Sequence, residues 1–335
     1  MWAAARRVAR GLLLHSLAGL LHGATGWREC SLANDGHANP SAFGPFAITV
    51  ERANASFPTY RPADLTAAAR WPALVFMHGS GSDDRFLSPS LGRWASHGFI
   101  VVAPLMGDED ECKKPLEDES CSDHSEHGRF ILAAVQWLAE MNGEPGSALH
   151  GRVDIEALAI GGWSMGGVSA IKALAVMPPG LVRAVVLDSP SVEGCELLYN
   201  YSEAEIQADW RSARNRTRAP YFLYTATKDI LQTATLQLFS SAKEGESIYA
   251  QYKTEYCTSK PPFLNTTIWP SVWGDVPGFP EHCCAGLLTM TAWTTTFLKM
   301  ALQNASASCH DRIWSETRSS IAVDSRMDAA KWFRK

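Results

Sequence analysis

The residues best suited to chemistry in this 335-residue chain are Gly162-Trp163-Ser164-Met165-Gly166-Gly167. The apolar run Ala157–Ile160 leads into them, and 168–177, rich in Ala, Val, Ile and Leu, follows with helical spacing. The pattern predicts a strand, a sharp turn and a helix, with Ser164 on the turn. Gly162-x-Ser164-x-Gly166 is the nucleophile-elbow pattern. A corner that tight has no room for a Cβ two places either side of the serine, and its strained backbone holds the serine up. The helix that begins there would also aim unpaired N–H groups at the same spot. The rival reading is a glycine-rich turn whose serine only caps the helix.

A serine hydroxyl is a poor nucleophile until a base takes its proton, and the base must be held in one tautomer by an acid. Behind such a corner the chain order is Ser, then Asp or Glu, then His. Two histidines follow Ser164, His282 and His310. His282 falls just ahead of a helical pattern over 285–302, where the base belongs; His310 lies beyond it. For the acid, Asp229 follows the apolar run Tyr221–Ala226 and precedes His282. Asp188 follows the run before that and competes with it, with Asp275 a distant third. The developing oxyanion needs two backbone donors. The buried-strand run Pro72–Met77 ends in His78-Gly79-Ser80-Gly81, a small-residue turn. Ser80 and Met165 are the expected donors, and His78 is expected to brace the loop rather than act as base.

These residues must be positioned by a sheet. Further strands are expected at 46–50, 99–104, 182–187 and 248–252, and helices over 91–97 and 130–141. The second helix carries an apolar stripe at 130, 131, 134, 135 and 138. Residues 54–62 read as a loop, and 192–219 and 255–281 as polar or irregular. Strands alternating with helices predict a mostly parallel central sheet with helices on both faces and ligands at the carboxyl ends of the strands, and with the elbow motif this is the α/β-hydrolase fold.

Composition narrows the function classes. A hydrophobic content of 46% and a charged content of 19% suit one globular domain. The net charge of −5 argues against an extended nucleic-acid footprint. Arg6, Arg7 and Arg10, the apolar run Leu12–Leu21 and Ala24-Thr25-Gly26 read as a signal peptide over 1–26. The catalytic domain then spans 27–310, and 311–335 is a charged tail expected to pack loosely on the surface. An Arg-rich transit peptide to a plastid is the alternative address. Five of the eight asparagines, Asn54, Asn200, Asn215, Asn265 and Asn304, lie in N-x-S/T sequons, where chance would give about one. With eight cysteines, this favours a secreted, disulfide-bonded glycoprotein. Cys112 with Cys121, and Cys257 with Cys283 or Cys284, are the expected pairs. The acidic stretch 107–127 matches no calcium or zinc loop and reads as solvated. No metal, no cofactor and no stable membrane span are expected, and the chain is expected to be a monomer.

Trp94-Ala95-Ser96-His97-Gly98-Phe99-Ile100-Val101-Val102, Gly151-Arg152-Val153-Asp154 and the Gly162–Gly167 stretch resemble the bacterial cutinase and PET-hydrolase branch of the α/β-hydrolases. The resemblance covers roughly 44–309. It implies a serine carboxylic-ester hydrolase with Ser164, Asp229 and His282 as triad and Ser80 and Met165 as oxyanion donors. It also implies that Trp163 and Met165 floor the substrate cleft. Ser191 would bind substrate where the family often has a tryptophan; Ser80 replaces a usual aromatic. An insertion between acid and base brings Trp269 and Trp273. The stretch 95–104 also resembles chlorophyllases, although those carry His-Ser-Arg at the elbow. Lipid esterases of the platelet-activating-factor-acetylhydrolase type are broader relatives. A hydrolase fold without activity, used for binding, is the expectation from another class.

Overall fold

The computed structural model describes residues 43–52, 54–79, 83–105, 128–190, 202–217, 219–226, 247–252, 281–302 and 327–333. Side chains are described for these except at 86, 203, 226, 247–252, 281–290, 292 and 327–333. The strands are β1 (Ile48–Glu51), β2 (Thr59–Pro62), β3 (Trp71–Met77), β4 (Ile100–Val102), β5 (Val153–Trp163), β6 (Val182–Asp188), β7 (Tyr221–Ala226), β8 (Ser247–Tyr252) and β9 (Met327–Phe333). The helices are α1 (Asp84–Ser96), α2 (Gly128–Gly143), α3 (Met165–Val176), α4 (Glu203–Arg216) and α5 (Glu281–Leu302).

One nine-stranded sheet runs in the order β1-β2-β4-β3-β5-β6-β7-β8-β9. Its middle, from β4 to β8, is parallel throughout. β1, β2 and β9 pair antiparallel at the two edges. A parallel strand covered on both faces is apolar on both faces. β3 meets this condition, with all seven residues buried. Alternate side chains go to opposite cores. Ala73, Val75 and Met77 face the core built with α2, α3 and α4, which includes Ile131, Leu138, Ile171, Ile206 and Trp210. Leu74 and Phe76 face the core built with α1 and α5, which includes Leu91, Trp94, Phe297 and Leu298. The architecture is thus the α/β-hydrolase sheet with helices on both faces that the sequence predicts.

Several local expectations change. Residues 59–62, expected in a loop, form β2, because pairing with both β1 and β4 satisfies their backbone. α1 starts at Asp84 rather than 91 and tolerates Pro89 inside it. α4, unforeseen, starts with a capping box in which Ser202 and Glu205 satisfy each other's backbone N–H groups. Residues 327–333, expected in a loosely packed tail, form β9 against β8. No helix among the described residues is long and apolar enough to cross a membrane.

Candidate active site

β5 delivers its last residue, Trp163, to the centre of the sheet, between β3 and β6. The chain then turns within one residue into α3. Ser164 is that residue, with φ 53° and ψ −118°. A non-glycine residue in this region is strained by roughly 1–3 kcal/mol and persists only where its surroundings hold it. Here they do. The Ser164 N–H donates to the Asp188 carbonyl on the neighbouring strand at 2.8 Å, and Gly167 N–H donates back to the Ser164 carbonyl at 3.0 Å. The glycines explain the corner's tightness. A Cβ on Gly162 would overlap the Gly166 carbonyl group, and one on Gly166 would overlap the Met77 and His78 carbonyl oxygens.

Ser164 is half-buried and its side chain makes no cap bond to α3. The helix-capping alternative therefore fails, since a capping serine spends its oxygen on an N–H of the first turn. Met165, the first helical residue, is buried, and its N–H is one of those a helix start leaves without an intrahelical acceptor. The hydroxyl and the helix N-terminus thus share one corner.

Gly79, at the end of the β3 turn, packs directly on this corner. A Cβ there would stand 3.0 Å from the Ser164 Cβ and 2.8 Å from the Trp163 ring. Trp163 was expected in a cleft floor. It is only 2% exposed and packs in the core with Trp94 and Phe222, because its place on β5 turns it inward beneath Gly79. Its ring lies against Gly79 on the inner side of the corner. His78 is buried too, and its Nδ1 lies 2.8 Å from the Gly79 carbonyl. A carbonyl can only accept, so that nitrogen carries the proton and the ring braces the turn, as expected.

Asp188 ends β6 in register with Trp163 on one side and Tyr224 on the other. Its carboxyl is buried and accepts the Tyr224 phenol. Burial first, and the Asp188 charge second, push the Tyr224 phenol well above its usual value, while the Thr294 hydroxyl of α5 pulls slightly the other way. The phenol therefore stays a donor to the carboxylate. Tyr224 carries no motif, and it shows itself only once β6 and β7 are aligned.

The remaining expected site residues are less fully described. Ser80, Ser191, Asp229, Asp275 and His310 lie outside the described residues, as do Cys112, Cys121, Cys257, Trp269 and Trp273. β7 ends at Ala226, three residues before Asp229. α5 begins at Glu281, so the His282 backbone is in its first turn and not in a preceding loop; its side chain, and those of Cys283 and Cys284, lie outside the description. The structure brings together Ser164, Met165, Gly79, Trp163 and Asp188.

Residues 42–192 match the family model described as PET hydrolase-like. No curated protein matches the chain. The matched stretch contains β1 to β6 and the whole serine corner. Over these residues the chain is similar to PET hydrolase-like proteins, and its sheet and helices have the α/β-hydrolase arrangement.

Proposed function

We propose that this hydrolase is a serine esterase that cleaves carboxylic esters through an acyl-enzyme. The observation that carries the proposal is Ser164, held at φ 53° on a glycine-walled corner with its hydroxyl not spent on the helix it precedes. Ser164 Oγ attacks the ester carbonyl while His282 takes its proton, and Asp229 holds the imidazole in the required tautomer. The N–H groups of Met165 and Ser80 receive the oxyanion; one such donor is typically worth about 3–4 kcal/mol of barrier. The same histidine protonates the leaving alcohol, then activates the water that releases the acid. Asp188 is the rival for the acid, but its carboxylate is already engaged by Tyr224. No cofactor or metal takes part in this scheme.

Cutinase or PET-hydrolase-type polyesters are the favoured substrates, on the family match. A chlorophyll or phospholipid ester is the alternative. We also place the chain in a secretory pathway. Asn54, in the turn after β1, and Asn215, exposed in the last turn of α4, are the described sequon positions. Labelling with a fluorophosphonate followed by peptide mapping tests the reaction class. The adduct is expected on Ser164; an unlabelled Ser164 in the folded protein would leave a binding protein on a hydrolase scaffold. Hydrolysis of esters of increasing acyl length, and of a polyester film, then ranks the substrates.

A further inference from the structure

The first turn of α3 is gripped from both of the strands that flank β5. On the β3 side, Gly166 lies so close to the Met77 and His78 carbonyl oxygens that a Cβ would overlap them. On the β6 side the grip has two parts, and the reaction scheme uses neither. The Asp188 carbonyl accepts the Ser164 N–H at 2.8 Å. Just beyond it, Pro190 lies against Gly167, where a Cβ would stand 3.0 Å from the Pro190 Cβ and 3.1 Å from its Cα. Residues 188 and 190 thus hold residues 164 and 167, and Met165 falls between the two held positions. The link between the holds is Ser189, a non-glycine residue at φ 41°. A residue ahead of a proline is ordinarily kept to extended backbone, so Ser189 departs from two preferences at once. Such strain persists only where neighbours over-determine it. Here the Ser189 N–H donates to the Tyr224 carbonyl at 2.8 Å, its hydroxyl lies 3.4 Å from that of Thr225, and Pro190 is buried. The strained residue bends the chain at the end of β6, and the ring it delivers occupies the space that Gly167, having no side chain, leaves open.

We propose that Pro190 is a positioning residue for the oxyanion: seated on Gly167 by the bend at Ser189, it fixes the first turn of α3 so that the Met165 N–H is already aimed when Ser164 attacks. The inference rests on the esterase reading and deepens it. A donor held in place beforehand costs no reorganisation when charge develops. α3 needs outside help for this, because it begins Met165-Gly166-Gly167. Glycine is the poorest helix former short of proline, so the turn that carries the donor has the least stiffness of its own. A proline suits the task, since its ring locks φ and the group pressing on Gly167 cannot swing.

The test uses the full chain and the variants Pro190→Gly, Pro190→Ala, Gly167→Ala and Pro179→Ala. Pro179, exposed in the loop between α3 and β6, is the control. Turnover of a short p-nitrophenyl ester is measured beside inhibition by an aryl trifluoromethyl ketone. In the adduct the Ser164 oxygen bonds to the ketone carbon, its proton passes to the base and the former carbonyl oxygen becomes the oxyanion. Pro190→Gly is expected to lower kcat by about ten- to thirtyfold with KM little changed, and ketone affinity by a similar factor. Pro190→Ala, which keeps the Cβ but frees φ, is expected to lower both by less, and Pro179→Ala to match the parent throughout. Gly167→Ala presses a Cβ on Pro190 and is expected to lower both too. Combined with Pro190→Gly, which removes the Cβ it meets, it should cost less than the product of the two single losses. Folding is checked by melting, and Pro190→Ala carries the test should Pro190→Gly not fold. Folded Pro190 variants with parental kcat and ketone affinity would overturn the inference, even if they melt earlier, since that marks a merely structural role. So would a loss of kcat without loss of ketone affinity, or single losses that simply multiply in the double variant. A parent chain that neither turns over the ester nor takes a fluorophosphonate would sink the esterase reading itself, and the inference with it.

Discussion

Ser164 and Ser189 end neighbouring parallel strands, and both hold a left-handed backbone, at φ 53° and 41°. Ser164 is half-buried, precedes a 12-residue helix and makes no bond to it. Ser189 is 3% exposed, gives its N–H to the Tyr224 carbonyl at 2.8 Å and sets its hydroxyl 3.4 Å from that of Thr225. Strain alone therefore does not mark a nucleophile. Among the described residues the two corners differ in access and in the hydroxyl: that of Ser164 is not spent on capping α3, and that of Ser189 reaches Thr225.

The sharpest way to break this comparison is to remove each hydroxyl. Ser164→Ala is expected to lower ester hydrolysis by about 10³-fold or more with the far-ultraviolet circular dichroism unchanged. Ser189→Ala is expected to leave turnover near the parent value. Equal effects on a p-nitrophenyl ester assay would void the distinction.

Walls matter next. Gly162→Ala drives a Cβ into the Gly166 backbone and is expected to cost about 1–3 kcal/mol in denaturant unfolding, with activity lost alongside. Gly180 has φ 77° with open space around it, so Gly180→Ala should cost only about 1 kcal/mol and spare activity. If the two cost the same, backbone strain and not collision shapes the elbow.

The Ser189 side of the comparison rests on Asp188 and Tyr224. Tyr224→Phe removes a donor from a buried carboxylate and should cost about 1–3 kcal/mol. Its pH signature has a definite sign. Tyr60, Tyr221 and Tyr224 all have phenol pKa values raised in the fold, chiefly by burial. The folded state favours the neutral phenol, while an unfolded tyrosine ionises near about pH 10. The stability from these three is full below that value and is lost as pH rises through their higher folded values. Melting temperature should accordingly fall above about pH 10, with phenolate absorbance appearing only as the fold is lost. Phenolate appearing at ordinary pH in the folded protein would contradict their burial.

The smallest effect is expected from Ser189→Gly. Relief of the left-handed φ opposes the loss of the hydroxyl contact and the greater freedom of glycine when unfolded, for a net change under about 1 kcal/mol by thermal melting. A large loss would show that the Ser189 hydroxyl ties β6 to β7.

Much of the fold was legible because its signals are local. The buried strand runs 72–77 and 182–187, the stripe on α2 and the elbow each occupy one stretch of sequence. Other elements were hidden for physical reasons. The four residues of β2 follow Pro58 and end on Pro62, and only their pairing partners make them a strand. Pro89 hid the true start of α1. The capping box at Ser202 and Glu205 could have announced α4, had the polar character of that stretch not suggested a loop. The helical pattern visible from 285 begins four residues after α5 does, so the sequence alone puts His282 in a loop and not in a helix turn.

By itself the sequence determined that a serine would stand on a tight corner between a buried strand and a helix, because every group that makes the corner lies within a few residues of it. Tertiary structure decided which distant groups surround that corner. The Asp188 carbonyl on the Ser164 N–H and the Tyr224 phenol on the Asp188 carboxyl both join separate elements. Such contacts depend on strand order and register, which no local pattern encodes, and they arise only when the sheet closes up around β5.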